Sequence, residues 1–349
     1  MELYVKDSEY NVIAVLDSFV SLIWTKRYYQ YGDFELVIPA SAGLLDIIKQ
    51  DYYIIREDDD TCMIIESILI QTDAEDGNVM IISGRSLESI LLRRVFMRQY
   101  TINHTGTLAG LVLALVERCM TSYIQDHPNY RRIAGLTVDT SSSFEGTMSV
   151  QFTGDTLLSA IISVCRPKEI GIKMQLVESS LILSLYQGTD TDVIFSPEFD
   201  NVISSKYSED TRNLANFVTV AGEGEGNDRT TCDILNGRFA DITGLKLREG
   251  YVDARNVSSN NGEISYVEYL DIMTQKGREF LAEHSVDKTF ESEVEPDMTY
   301  HYKTDYNLGD KVTVQNEFGI TSRPRIVEII ESWDATGYKV IPTFDELKV

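Results

Sequence analysis

The chain has 349 residues and a formal net charge of −24, from 31 basic and 55 acidic side chains. So large a negative charge repels nucleic acid and anionic membranes, which argues against a sequence-reading DNA-binding protein but not against a protein that lets DNA pass. With 43% hydrophobic and 25% charged residues the composition is that of a globular protein, and the length suits two to four domains.

The N-terminal part of the chain predicts one short strand after another. Seven segments rich in strand-forming residues are divided by Gly, Asp or Ser. They are ELYVKD, YNVIAVLD, SLIWTKRYY, GDFELVIP, YYIIRED, TCMIIESILIQTD and GNVMIISG. We predict a first antiparallel β-barrel-like domain over residues 1–100, completed by about residues 200–226. A short helix opened by Gly84-Arg85-Ser86 would plug or cap it.

The next segment, residues 101–199, predicts an α+β insertion. Thr105 or Thr107 can cap one helix, and Asp155 or Thr156 can cap a second. The stretches IGIKMQLVE and SLILSLYQG follow and predict a hairpin.

Residues 227–286 predict a linker domain made of a loop with a hairpin and one helix. Residues 228–262 are polar and weakly periodic, which indicates the loop and the hairpin. Ser265 and Glu268 have the spacing of a capping box, in which each side chain binds a free backbone amide of the other residue. The helix should end near His284.

The C-terminal residues 287–349 predict a second β-barrel-like domain. Apolar residues recur there at close to a two-residue period between turns, at Val312, Val314, Ile326, Ile329 and Ile330. The whole chain is therefore predicted to be α+β and mainly β, with two small antiparallel β-barrel-like domains, an α+β insertion and a connecting helix.

No residue pattern in the chain predicts an enzyme, a cofactor or a bound metal. The four cysteines are far apart, which argues against a zinc ribbon and a disulfide framework, and Cys119 and Cys165 fall on apolar helical faces as core residues. The four histidines share no ligand spacing. There is no GxSxG and no Cys-His signature.

Two further patterns have an ordinary structural explanation. The sequence GEGEGNDR, from Gly222 to Arg229, is superficially similar to a phosphate-binding loop, but its glutamates would face the phosphates, so we predict a mobile turn or an interface loop. The acidic runs Asp58–Asp60, Asp73–Asp76 and Glu291–Asp297 fall at strand ends or turns. There they would be solvated and would discourage aggregation of strand edges.

Four stretches, in this order along the chain, resemble the siphophage tail-hub or tail-associated protein family. Trp24–Pro39 resembles an aromatic and basic strand followed by G-x-F-E-L-x-I-P, and Gly84–Arg94 resembles G-x-S-L-x-x-x-L-x-x-R. Asn216–Arg229 resembles a strand followed by a G-x-G turn and an arginine. Tyr306–Val314, followed by Arg325–Ser332, resembles the closing barrel of the family.

This resemblance implies a structural hub at the virion tail tip or baseplate, made in the cytoplasm of the bacterial host. The chain would form a homotrimeric ring that joins the sixfold tail tube to the threefold tip. Its partners would be the distal tail protein, the tail tube protein, and a tape-measure protein or a tail spike or lysin. Genomic DNA would pass through the lumen without specific binding.

Two alternative functions are kept. A tail-associated cell-wall hydrolase would need two convergent carboxylates or a metal. A host-surface carbohydrate-binding module would expose tryptophan on a concave face, whereas Trp24 and Trp333 lie in strand patterns that favour core or interface positions. The candidate interface residues, several of which are equally compatible with a barrel core, are Phe34, Leu36, Gly222, Gly224, Gly226, Arg229, Val312, Val314 and Ile329.

Overall fold

The computed structural model describes residues 1–73, 77–123, 125, 127–199, 201–237, 239, 242–259, 262, 264–294, 299–316, 318–319 and 321–345. The side chains of the predicted acidic runs Asp73–Asp76 and Glu291–Asp297 lie outside these described residues.

Strands dominate the described chain. In chain order they are β1 (Leu3–Lys6), β2 (Val12–Leu16), β3 (Ser21–Arg27), β4 (Asp33–Pro39), β5 (Tyr53–Arg56), β6 (Cys62–Asp73), β7 (Gly77–Ser86), β8 (Tyr100–His104), β9 (Leu136–Val138), β10 (Met148–Phe152), β11 (Gly171–Val177), β12 (Ser180–Tyr186), β13 (Asp190–Phe195), β14 (Val202–Asp210), β15 (Phe217–Ala221), β16 (Thr231–Leu235), β17 (Glu249–Asp253), β18 (Asp287–Val294), β19 (Lys311–Gln315), β20 (Thr321–Ser322), β21 (Ile326–Asp334) and β22 (Gly337–Phe344). All seven predicted N-terminal segments form strands, because their apolar residues recur at the period of a pleated chain.

Each α-helix follows an N-cap residue whose side chain accepts a hydrogen bond from a free backbone amide of the helix. They are α1 (Ala42–Ile47), α2 (Leu108–Met120), α3 (Leu157–Cys165) and α4 (Tyr266–Glu283). Thr107 caps α2, Thr156 caps α3, and Ser265 with Glu268 forms the predicted capping box of α4, whose C-cap is His284. The short helix α1, capped by Ser41, was not predicted.

The largest sheet has eleven strands in the order β14-β18-β22-β21-β3-β4-β7-β6-β5-β1-β2. It joins the two ends of the chain, because β3 pairs with β21 antiparallel from Leu22 opposite Trp333 to Arg27 opposite Glu328. Within the described residues the order is open, with β14 and β2 at its two ends. The prediction of an α+β, mainly β chain is confirmed, but the described strand pairs show no closed barrel.

The buried residues of the described part of the chain form four clusters. One cluster, around Leu22, Trp24 and Leu36, is formed mainly by residues of strands β1 to β7. In the second cluster, α2 and α3 pack against the β11–β12 hairpin and against a 3₁₀ helix over Leu87–Arg93. This 3₁₀ helix is the predicted short helix, and it caps the N-terminal strands. A third cluster lies beneath β19, β21 and β22, and a fourth lies between α4 and the small sheet β16-β15-β17.

The sequence did not identify the strand partners in residues 200–253. β14 pairs with β18, and β15 pairs with β16 and, in parallel, with β17, so neither β14 nor β15 pairs directly with a strand of residues 1–100. Residues 228–262, predicted to hold a loop with a hairpin, contain β16 and β17, and each of these strands pairs with β15 rather than with the other. Alternation of apolar and polar residues identifies a strand but not the strand with which it pairs. A parallel partner is harder to identify, because a crossover of many residues separates the two strands. The domain boundaries themselves stay a prediction.

Candidate assembly site

The pairing of β3 with β21 brings charged side chains from distant parts of the chain into one group with a buried centre, which we call the ion cluster. It consists of Lys26, Arg56, Asp58, Asp59, Lys303 and Glu331. Lys26 lies on β3, Arg56 at the end of β5 and Glu331 on β21. The cluster therefore connects the N-terminal strands to the C-terminal strands.

Arg56 and Glu331 form the centre of the ion cluster. Both side chains are at most 1% exposed, and the guanidinium of Arg56 donates to the two carboxylate oxygens of Glu331 at 2.9 and 3.2 Å. Two parallel bonds between these planar groups are stronger and more specific than a single ion pair. Tyr338 donates its hydroxyl to the same carboxylate at 2.9 Å.

The two tryptophans of the chain lie beside Arg56. The guanidinium carbon is 5.6 Å from the ring centre of Trp24 and 4.4 Å from that of Trp333. Trp24 is fully buried, and Trp333 is partly buried and stacks on Tyr338. Aromatic faces attract a cation, so both rings stabilise the charge of Arg56 within the protein. These are core positions, one of the two placements that the strand patterns favoured.

The second carboxylate of the ion cluster is Asp59, whose side chain is 1% exposed and lies 2.5 Å from the ammonium of Lys26. Burial by itself would raise the pKa of Asp59. The attraction of Lys26, with hydrogen bonds from Lys26 and Thr61, outweighs burial and holds the pKa well below its usual range. Asp59 is therefore ionised in the folded protein.

This placement corrects the prediction that the whole Asp58–Asp60 run is solvated. Asp58 and Asp60 are about half exposed, as expected of a turn. Asp59 turns inward, because Lys26 and Lys303 lie within 3.2 Å and supply the positive charge that a buried carboxylate requires. The sequence carried no signal for this exception, since both cations come from distant strands or loops.

Comparison with known proteins identifies the family. The family model described as Siphovirus ReqiPepy6 Gp37-like protein matches residues 2–344. The chain belongs to this family. A search of curated proteins found no match.

Solved structures with the same fold are tail proteins, and two of them are described as prophage proteins. The 43 kDa tail protein of prophage MuSo2 from Shewanella oneidensis is 14% identical, with a TM-score of 0.63, and 99% of this chain and 98% of that chain are covered. A tail protein from Neisseria meningitidis MC58 is 13% identical, with a TM-score of 0.61 and coverage of 99% and 96%. Prophage tail protein gp18 from Listeria monocytogenes EGD-e is 12% identical, with a TM-score of 0.57 and coverage of 100% and 96%. The resemblance to a siphophage tail-protein family is confirmed.

The Gly84–Arg94 stretch that carried part of the resemblance connects the first sheet to the insertion. At Gly84 a β-carbon would lie 1.8 Å from the carbonyl oxygen of Ile64, so only glycine fits against the bulged strand β6. The Ser86 hydroxyl accepts from Gly32 at 2.8 Å and donates to the buried carboxylate of Glu88, which accepts the Met174 amide at 2.7 Å. Burial raises the pKa of Glu88.

Hydrogen bonds and an ion pair from Arg229 hold the base of the Gly222–Arg229 turn. Arg229 donates to the carbonyl oxygens of Gly222 at 2.9 Å and Ala221 at 2.6 Å, and it lies 2.5 Å from the carboxylate of Asp253. A β-carbon on Gly222 would lie 2.0 Å from the Tyr269 hydroxyl. The tip, which includes Gly224 and Gly226 at φ +101° and +56°, is exposed.

The other candidate interface residues lie in cores. Their exposed fractions are at most 2%, for Phe34, Leu36, Val312, Val314 and Ile329. Phe34 and Leu36 pack in the first cluster, and the other three pack beneath the C-terminal strands. Of the two placements that the sequence left open, these side chains take the core, and an interface role stays a prediction for the exposed turn alone.

In the described ranges, no group of three or more His, Cys, Asp or Glu side chains could hold a metal ion. Cys119 and Cys165 are buried, as predicted, and burial raises the pKa of each thiol to about 12. None of the helices in the described part of the chain is long and apolar enough to cross a membrane.

Proposed function

We propose that the chain is a structural hub subunit of a phage tail or phage-tail-like particle. Three copies would form a ring at the tail tip or baseplate that joins the sixfold tail tube to the threefold tip. The observation that carries this proposal is the pairing of β3 with β21, which joins the two terminal β modules into one sheet. Two such modules per subunit, in three subunits, present six modules to a sixfold tube.

The two ends of the eleven-stranded sheet support a closed ring. Edge strands β2 and β14 present different surfaces. When two different surfaces bind each other, each copy contacts the next in the same way, and the copies form a closed ring where the rotation between them allows it. Val12 and Val15 on β2 are about half exposed. An exposed apolar edge strand is a ready template for another strand.

The proposed partners follow from this position in the particle. They are the distal tail protein, the tail tube protein, and a tape-measure protein or a spike or lysin at the tip, with genomic DNA passing through the lumen. The excess negative charge of the chain supports a channel that does not retain DNA, because like charges repel. Assembly would follow synthesis in the cytoplasm of the bacterial host, and the role assigned is structural rather than enzymatic.

Light scattering of the purified chain tests the ring. We expect a mass of about three times 39.5 kDa. The variant Val15→Lys, which places a charge on the edge of β2, should shift the mass towards one copy, whereas Val177→Lys, at an equally exposed position on β11, should not.

A monomer at all concentrations would leave the particle itself as the test. Electron microscopy of assembled tails should then show three copies on the central axis. A position away from the axis, or a copy number other than three, would overturn the proposal.

A further inference from the structure

A cleft of about 560 Å³ has α4 and β16 on one side and residues of the C-terminal strands on the other. Basic side chains are numerous among the residues that line it. Five basic and three acidic side chains line this cleft. The basic ones, which define what we call the basic cleft, are Arg166, Arg278, Lys311, Arg323 and Arg325. In a chain with a net charge of −24, a local excess of positive charge is the opposite of the overall composition.

Part of this positive charge is already used within the protein. Lys311 and Arg325 pair with Glu169 at 2.9 and 3.1 Å. Arg323 donates to the carbonyl oxygen of Thr191 at 3.0 Å.

Two arginines of the basic cleft are available to a ligand. Arg166 and Arg278 are exposed, and neither forms an ion pair with an acidic side chain among the described residues. The guanidinium of Arg166 lies 5.6 Å from the ring centre of Tyr29, which orients it without neutralising it. Arginine presents a planar set of donors that matches a carboxylate.

An edge strand forms one wall of the same cleft. The small sheet has the order β16-β15-β17, so β16 pairs with β15 on one side and, within the described residues, with no strand on the other. Cys232, Asp233, Ile234 and Leu235 of β16 line the cleft. An exposed edge presents unpaired backbone donors and acceptors, which an extended peptide can pair by adding a strand.

From these two observations we propose that the basic cleft binds an extended, carboxylate-rich segment of a partner protein. The segment adds as a further strand along β16, and its acidic side chains bind Arg166 and Arg278. Charge complementarity argues for this occupant, because the backbone edge recognises an extended chain and the exposed guanidinium groups select carboxylates. The five residues of β16 span about 17 Å, enough for four or five residues of the segment. The proposal goes beyond the ring and does not depend on it.

A peptide-binding experiment on the full chain tests both parts of the proposal. The probe is a fluorescent, end-capped octapeptide of alternating glutamate and threonine, and binding is followed by fluorescence anisotropy. We expect the double variant Arg166→Gln/Arg278→Gln to weaken binding at least tenfold. The control Arg98→Gln/Arg132→Gln removes the same charge at exposed positions outside the basic cleft and should change the affinity less than twofold.

A second peptide separates strand addition from simple charge attraction. An octapeptide of alternating glutamate and proline carries the same charge but lacks half of the backbone donors, so it should bind at least tenfold more weakly. Equal binding of the two peptides would overturn the strand addition, and equal weakening by both double variants would overturn the site.

Three other results would also overturn the proposal. They are no binding of the glutamate–threonine peptide up to millimolar concentration, tighter binding of a single-stranded DNA oligonucleotide through the same two arginines, and self-association of the chain that Arg166→Gln/Arg278→Gln abolishes. The last result would make a second copy the occupant. The mass of the peptide-free protein is measured separately and tests the ring by itself. Each of these outcomes can therefore be distinguished from failure of the ring.

Discussion

Two regions of the described chain gather charged side chains from distant segments, the ion cluster between β3 and β21 and the basic cleft beside β16. In the ion cluster, Arg56 is buried, makes two bonds to Glu331 and lies beside two tryptophan rings. In the basic cleft, Arg166 and Arg278 are exposed. The same residue type therefore serves the fold where its charge is buried and satisfied, and is available for binding where its charge faces solvent.

The largest effect that would sharpen this comparison is expected from Glu331→Ala. Removing this carboxylate leaves the buried guanidinium of Arg56 with the half-exposed Asp58 as its remaining carboxylate partner among the described residues, so the free energy of unfolding should fall by about 3 kcal/mol. Urea denaturation followed by circular dichroism measures it.

A matched control lies on the same strand. Glu328 pairs with Arg27 in a partly exposed position, with side chains 22% and 25% exposed. Glu328→Ala should therefore cost about 1 kcal/mol or less. Similar losses for the two variants would show that complete burial does not distinguish the ion cluster from a partly exposed ion pair.

An intermediate effect, with a defined pH dependence, is expected from Asp59→Asn. The pKa of Asp59 is lowered in the folded protein, and the carboxyl titrates near pH 4 when unfolded. Stability from Asp59 is therefore fully present above about pH 4 and is lost as the pH falls towards the lowered folded pKa. The variant should be about 2 kcal/mol less stable at pH 6, with a smaller difference at pH 3.

The neighbouring Asp60→Asn serves as the control for this prediction, because Asp60 belongs to the same acidic run but is 56% exposed. Urea denaturation at both pH values should show a change within about 0.5 kcal/mol. If Asp59→Asn gave the same loss at pH 3 as at pH 6, ionisation of Asp59 would not be the source of its contribution.

The smallest effect is expected in the basic cleft. Arg166→Gln/Arg278→Gln should leave the free energy of unfolding within about 0.5 kcal/mol of the wild type, because neither guanidinium is buried or paired with a described acidic side chain. Thermal unfolding by calorimetry checks this. A large loss would mean that these arginines, like Arg56, belong to the fold, and the contrast between the two regions would fail.

The sequence determined the local elements of this protein. Alternation of apolar residues predicted the seven strands up to Ser86 and the β11–β12 hairpin, and cap residues such as Thr107, Thr156 and Ser265 marked where helices begin. These features follow from the sequence because periodicity and capping depend on residues only a few positions apart.

Only the tertiary structure decided which strands pair and which charges are buried. The pairing of β3 with β21, the parallel pairing of β15 with β17, and the inward turn of Asp59 towards Lys26 and Lys303 all join distant segments. An acidic run has the same composition whether its middle residue is solvated or paired. The difference arises from cations that the fold brings to it, because burying a charge is tolerated only where an opposite charge is already in place.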